Sequence, residues 1–220
     1  FFEFVRLIQE ISPRVFIYEN VNGLHSKANK ENWKKMRECI DNIGYKTKEL
    51  LLNAKDYGIP QIRNRVFVVG FLDESIDLQN GLNPGQFPLS LTMQDFLISR
   101  TEEGGLSYDK NGKLIFSGKP GKVDKKYILT PAVRKYVTTP GTKNWKTRIE
   151  YDRIIARTLL STQGNHHRAC VDNYVTDVGE LRALTERESF RLMGFTDDFK
   201  IVVPKAWAYK QAGNSMVVAV

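Results

Sequence analysis

At 220 residues, 41% hydrophobic and 26% charged, the chain has the composition of a globular protein of one domain or a domain and a half. No apolar run approaches the ~20 residues of a membrane helix, and the only two cysteines, Cys39 and Cys170, form neither a disulfide framework nor a metal-ligand spacing. The formal net charge of +8 points to a polyanionic partner.

The first residues, FFEFVRLIQEIS, carry Phe1, Phe4, Val5, Ile8 and Ile11 at helical spacing, and Ser12-Pro13 stops the helix. RVFIY follows as a strand whose unbroken apolarity predicts burial on both faces, as in a parallel sheet. It runs straight into Glu19 and Asn20 without a turn. A buried carboxylate is costly unless paired or protonated, and the plain alternative is a strand reaching the surface. Residues 30–43 place Trp33, Met36, Cys39, Ile40 and Ile43 on one helical face, with a structural thiol at Cys39, and Gly44 closes the helix. YKTKELLLN is a second strand, DYGIP a loop and RVFVVGFL a third strand.

From residue 76 to 150 the sequence is rich in Gly, Lys, Thr and Pro with short apolar islands, which predicts an irregular, β-rich second domain. Residues 100–150 hold twelve Lys and Arg against five Asp and Glu, an excess of seven within about a quarter of the chain. Such a field suits a nucleic acid, though a solvated lysine-rich loop would look the same. Further on, ARTLLST reads as a strand. LTERESFRLMGF reads as a helix with Thr185 as N-cap, Glu188 completing a capping box and Gly194 as the stop. AYKQAGNSMVVAV reads as a glycine-containing turn entering an apolar segment cut off in mid-run.

Four short patterns stand in order: Glu19-Asn20-Val21 after a strand; Gln61-Ile62-Arg63-Asn64-Arg65 opening a strand, with Arg63 and Arg65 two apart and so on one face; Arg182 to Glu188 opening a helix, followed by Met193-Gly194-Phe195; and Gln211-Ala212-Gly213-Asn214-Ser215. Singly each is ordinary: a surface salt-bridge ladder, helix polars, a turn. In this order, with a basic insert between the second and third, they resemble the C-terminal portion of a DNA (cytosine-5)-methyltransferase over nearly the whole chain. DYGIPQIRNRVFVVGF and AYKQAGNSM are the most specific stretches.

The resemblance implies an α/β fold: the C-terminal part of a Rossmann-like S-adenosylmethionine-dependent methyltransferase sheet with a smaller irregular β-rich target-recognition domain. It divides the chain into half of the catalytic domain at 1–73, the recognition domain at 74–180 and a return to the catalytic domain at 181–220. In this family the target cytosine is flipped out of duplex DNA, a thiolate adds to C6 and C5 takes the methyl group of S-adenosylmethionine. Glu19 matches the acid that donates to ring N3, and its place at the end of a buried strand would favour the protonated form. Strand ends are also where open α/β sheets bind ligands. Arg65 matches the arginine that contacts the cytosine O2 and supports the thiolate loop. Arg63 is placed for a phosphate. Asn214 and Ser215 match the motif at the methionine end of S-adenosylmethionine. Arg182, Thr185, Arg187 and Glu188 match the motif that organises the recognition domain. Gln163, Asn165, His166 and Arg168 form a polar loop of candidate base readers, with a structural turn as the equal alternative.

Three family features are absent: the Gly-rich cofactor loop, the acidic ribose ligand and the Pro-Cys nucleophile. Only eighteen residues precede Glu19, too few for the family's nucleophile motif, and neither Cys39 nor Cys170 follows a proline. Glu186 stands where the family usually has proline. The chain alone is therefore expected to be inactive. The nucleophile is expected from an N-terminal half on the same polypeptide or on a separate subunit, unless the chain is a gene remnant. The implied partner is duplex DNA in a bacterial or phage restriction-modification system, in the cytoplasm. The competing readings are a non-catalytic DNA-binding or regulatory module and an RNA methyltransferase of the same fold.

Overall fold

The computed structural model describes residues 1–78, 82, 84–141 and 148–220. They form two compact units, Phe1–Asn53 with Asn64–Gln86, and Ala54–Arg63 with Phe87–Val220.

The first unit is built on a three-stranded sheet in the order β1 (Val15–Val21), β3 (Asn64–Phe71), β2 (Lys46–Asn53). β3 is antiparallel to both neighbours, so β1 and β2 point the same way and β3 is inserted between them. Helices α1 (Phe2–Ile11) and α2 (Lys30–Asp41) supply Ile8 and Ile40 to a core with Phe16, Tyr18, Tyr45 and Val68. Ser12 takes a left-handed conformation, φ 48°, before Pro13, and its N–H closes α1 on the Ile8 carbonyl. Gly70 faces Phe16 across the sheet, and a Cβ there would stand 2.1 Å from the Phe16 ring.

The two-sided burial in a parallel sheet expected of β1 fails: its pairing with β3 is antiparallel, and it is central β3 that is buried along most of its length. In β1, Phe16 and Tyr18 are buried while Val15 and Ile17 are exposed, Ile17 by 61%. Among the described residues only one face of β1 packs on the helices, with Phe16 and Tyr18 inward, so its side chains alternate with the period of two.

In the second unit, Met93, Phe96, Leu106, Ala156, Leu159, Val175, Leu184, Phe190, Met193 and Ala208 share one core. Two short antiparallel hairpins stand in it: β4 (Leu106–Tyr108) with β5 (Leu114–Phe116), and β6 (Tyr174–Asp177) with β7 (Glu180–Ala183). The β6–β7 turn uses Val178 at φ 49° and Gly179 at φ 80°. Helix α3 (Pro131–Thr138) was not anticipated, although its signals are local: the Thr130 hydroxyl accepts from Val133 N, and Pro131 occupies the first turn. Helix α4 (Glu186–Arg191) has the expected capping box between Thr185 and Glu188, and Gly194 takes φ 83° after it.

Two element expectations are corrected. ARTLLST is not a strand; only Ala156 makes a bridge, to Gln61. The AYKQAGNS segment is not a turn but helix α5 (Lys205–Asn214), which continues through Gly213. Gly213 is there for close approach, since a Cβ would lie 2.2 Å from Ser161 N and 2.3 Å from Leu160 C. Residues 181–220, expected to return to the first domain, group with 87–180 because α4 and α5 share the second unit's core.

Candidate active site

β1 and β3 together position Glu19. Glu19 lies opposite Phe67 and Arg65 lies opposite Val21. Residues two apart on a strand share a face, so Arg65 stands diagonally beside Glu19 on one face of the sheet. Arg65 Nε meets Glu19 Oε1 at 3.0 Å, with the two side chains 15% and 27% exposed. The surroundings of Glu19 are the Arg65 guanidinium and part solvent. Burial pushes the Arg65 guanidinium down from its ordinary value, and the neighbouring Glu19 carboxylate opposes that shift. Arg65 Nη1 donates to its neighbour's carbonyl at Asn64, 2.8 Å. Asn20 steadies the strand end: its amide donates to the Tyr18 hydroxyl at 2.6 Å, and its carbonyl accepts from Val21 N at 2.8 Å. The result is a carboxylate fixed by a cation on one side and open on the other.

Arg63 does something else. β3 begins at Asn64, so the strand alternation that would place Arg63 beside Arg65 does not reach it. Its guanidinium is buried in the second unit and donates to the carbonyls of Leu159 (3.0 Å), Gly213 (2.8 Å) and Ser215 (2.8 Å). The expected phosphate contact is replaced by a clamp on the end of α5.

That clamp sets the backbone of Asn214 and Ser215. Asn214 is exposed at the last turn of α5. Ser215 caps the helix: its N–H donates to Gln211 O at 2.9 Å and its hydroxyl to Ala212 O at 2.9 Å. With its proton so used, the Ser215 hydroxyl keeps acceptor lone pairs, and Asn214 offers both a donor and an acceptor.

Of the loop candidates, Gln163 is corrected. It is buried, and its amide donates to the Ser189 hydroxyl at 2.9 Å, so in this structure it ties the loop to α4. Asn165 is exposed. His166 takes a left-handed conformation at φ 55°, and burial, then Lys205 and His167, push its imidazole pKa down. Arg168 lies over the Tyr136 ring at 5.4 Å. Lys143 and Lys146 of the basic stretch lie outside the described residues.

The third motif is a buried scaffold. Arg182 makes two 2.8 Å bonds to Glu188, Nη1 to Oε2 and Nη2 to Oε1. Arg187 binds Glu103 at 2.8 Å and donates to Phe199 O at 2.8 Å. Gln61, which opens the QIRNR pattern and carries no other local signal of a role, is buried, donates to Leu192 O at 2.7 Å and accepts from Leu159 N at 3.0 Å. The buried pair of Arg191 with Asp197, at 2.5 Å, is likewise unmarked in the sequence. Among the described residues, no three His, Cys, Asp or Glu form a metal-binding group, and no helix is long and apolar enough to cross a membrane.

A family model for the C-5 cytosine-specific DNA methylase matches residues 1–220. Type II methyltransferase M.HhaI of Haemophilus parahaemolyticus is 31% identical over 220 residues, covering 100% of this chain and 64% of that protein. Type II methyltransferase M.MspI of a Moraxella species is 32% identical over 225 residues, covering 100% of this chain and 47% of that protein. The chain thus spans less than two thirds of the length of these curated relatives. Among solved structures, the S. pombe Dnmt2 methyltransferase superposes with a TM-score of 0.65 at 18% identity, over 99% of this chain and 68% of that one. The Entamoeba histolytica methyltransferase EhMeth gives 0.64 at 16%, over 94% and 59%. These structural likenesses show an α/β fold shared with those two methyltransferases.

Proposed function

The chain belongs to the C-5 cytosine-specific DNA methylase family, and on that premise we propose that it is the C-terminal portion of a restriction-modification DNA (cytosine-5)-methyltransferase acting on a flipped cytosine in duplex DNA. The observation that carries the reading is the Glu19–Arg65 pair, at 3.0 Å on one sheet face where β1 ends and β3 begins.

A thiolate adding to C6 of cytosine drives negative charge onto N3 and O2, and the addition is unfavourable unless that charge is met. Glu19 meets it at N3 with a shared proton while its other oxygen accepts from the exocyclic amine. Arg65 meets it at O2 and holds Glu19 in place. S-adenosylmethionine, when bound, would supply the methyl group for C5, after which loss of the C5 proton and expulsion of the thiolate from C6 would restore the aromatic ring. The thiol comes from a Pro-Cys motif outside these residues, because Glu38 precedes Cys39 and Ala169 precedes Cys170. Asn214 and Ser215, their backbone held by Arg63, would hold the methionine end of the cofactor: Ser215 keeps acceptor lone pairs suited to an ammonium and Asn214 offers a donor suited to a carboxylate. Residues 74–180 serve as the target-recognition domain, with Asn165, His166 and Arg168 toward the DNA.

The test is to combine the chain with a companion polypeptide carrying the Gly-rich loop and the Pro-Cys motif, and to follow labelled methyl transfer to duplex DNA. The expected result is no transfer by either part alone, transfer by both together, and a loss of about 10²–10⁴ in rate for Glu19→Gln with duplex binding kept. A wild-type rate for Glu19→Gln would sink the catalytic assignment. Transfer by the chain alone would sink the external nucleophile, and duplex binding with no transfer by the pair would favour the non-catalytic module.

A further inference from the structure

Glu150 is the hub of three arginines. Its Oε2 receives Arg153 Nη1 and, at 3.1 Å, Arg157 Nη2; its Oε1 receives Arg148 Nε at 3.1 Å. Among the described residues no other carboxylate forms an ion pair with these three, so one negative charge faces three positive ones. Arg148, 88% exposed, is the outermost arm. Arg153 and Arg157 lie deeper, and the buried Nε of Arg157 has no hydrogen-bond partner among the described residues.

The cluster is held in place although its segment has no regular structure. Glu150 N donates to Ala169 O at 3.3 Å and Asp152 N to Tyr174 O at 3.0 Å. Arg157 N donates to the Asn173 side chain at 2.8 Å, which donates back to Arg157 O at 3.1 Å. Arg153 Nε donates to Ile155 O at 3.1 Å. Guanidiniums packed this closely repel one another: Arg153 is pushed below its ordinary value by burial first and then by Arg157 and Arg148. An ordinary structural ion pair needs one arginine for one carboxylate. Two surplus guanidiniums on an anchored segment form a receptor for an anion with several oxygens.

We propose that Arg148, Arg153 and Arg157, aligned by Glu150, clamp a phosphodiester of the DNA backbone and so seat the recognition domain on the duplex. This rests on the duplex-DNA reading above. Contacts to phosphates position a protein on the duplex without reading sequence. Glu150 orients the three forks and offsets part of their mutual repulsion before the phosphate arrives.

The experiment measures binding of the 220-residue chain to labelled duplexes of several sequences over a salt series, for the wild type, Arg148→Gln and Arg153→Gln, with thermal melts to verify folding. The expected result for Arg148→Gln is a several-fold weakening that is the same for every duplex, with the slope of log affinity against log salt reduced by about 0.9, the loss of one phosphate contact. Arg153→Gln is expected to act in the same direction; should it fail to fold, exposed Arg148→Gln still decides. Wild-type affinity and slope in Arg148→Gln would overturn the clamp and leave the methyltransferase reading standing. Failure of the wild type to bind any duplex at low salt would overturn both.

Discussion

Arg182 and Glu188 form a two-pronged pair, both bonds 2.8 Å, with both side chains fully buried. Glu188 is shared further: Oε2 accepts from Thr185 N at 2.8 Å and Oε1 from Ile98 N at 2.9 Å, while Arg182 Nε reaches Asp177 at 3.0 Å. One carboxylate therefore caps α4, ties it to β7 and fastens the segment before Thr101. Removing it takes from a buried guanidinium one of its two carboxylates, leaving Asp177, and orphans two N–H groups. Glu188→Ala should lower unfolding free energy by about 3–5 kcal/mol, as for breaking a buried pair, whereas Thr185→Ala, which removes only the cap, should cost about 1 kcal/mol. Urea unfolding of the two variants checks both values and their order.

Arg63→Met should release the end of α5. Two buried carbonyls and one part-buried carbonyl lose their donor, and each orphaned buried group costs roughly 1–3 kcal/mol before relaxation. Amide hydrogen exchange at Ala212 to Ser215 should accelerate more than exchange in β3. Equal acceleration in both would show that Arg63 stabilises the molecule only globally.

The Asp197 carboxyl predicts an acid-sensitive contribution to stability. Burial works against its ionisation, yet the Arg191 ion pair and N–H donation from Leu106 and Gly104 prevail, and its pKa lies below the ordinary carboxylate value. A carboxylate depressed in the folded state adds stability above its unfolded pKa and loses it as pH falls through the folded one. The wild-type urea midpoint should therefore fall between pH 5 and pH 2 by more than that of Asp197→Asn. Parallel midpoints across that range would remove Asp197 from the acid response.

Val178 is a β-branched residue at φ 49° and 99% exposed, in a two-residue hairpin turn with Gly179. Asn-Gly is the sequence such a turn favours, and β-branching is strained there. Val178→Asn should raise stability by about 0.5–1 kcal/mol, read as an increase in melting temperature. A decrease would mean that the valine makes a contact beyond the turn.

Gly213→Ala should destabilise α5, although alanine is the better helix former. The new methyl would meet the backbone of Leu160 and Ser161, which cannot rotate away as a side chain would. The expected cost is about 1–3 kcal/mol. A rise in melting temperature would show that the helix moves at no cost.

Much of the first unit was legible because its signals are local. The helical spacing of Phe4, Ile8 and Ile11 and the S-P stop at Ser12 describe α1 without knowing what it packs on. The Thr185–Glu188 capping box lies within one turn of chain and formed as its spacing predicts. What could not be read was anything set by where distant segments meet. The direction of β3 between β1 and β2, the failure of ARTLLST to find a strand partner and the helical course through Gly213 each depend on a neighbour remote in sequence.

The two arginines of QIRNR mark the boundary most sharply. By itself the sequence determined that this chain carries a carboxylate at a strand end, paired arginines at a strand start and a Gly-Asn-Ser ending, and those patterns sufficed to place the family. Only the tertiary structure decided that Arg65 meets Glu19 while Arg63 turns to Leu159, Gly213 and Ser215. The reason is physical: side-chain alternation follows from backbone geometry within a strand, but where the strand begins is set by pairing with β1 and β2, and one residue outside that pairing Arg63 answers to different neighbours.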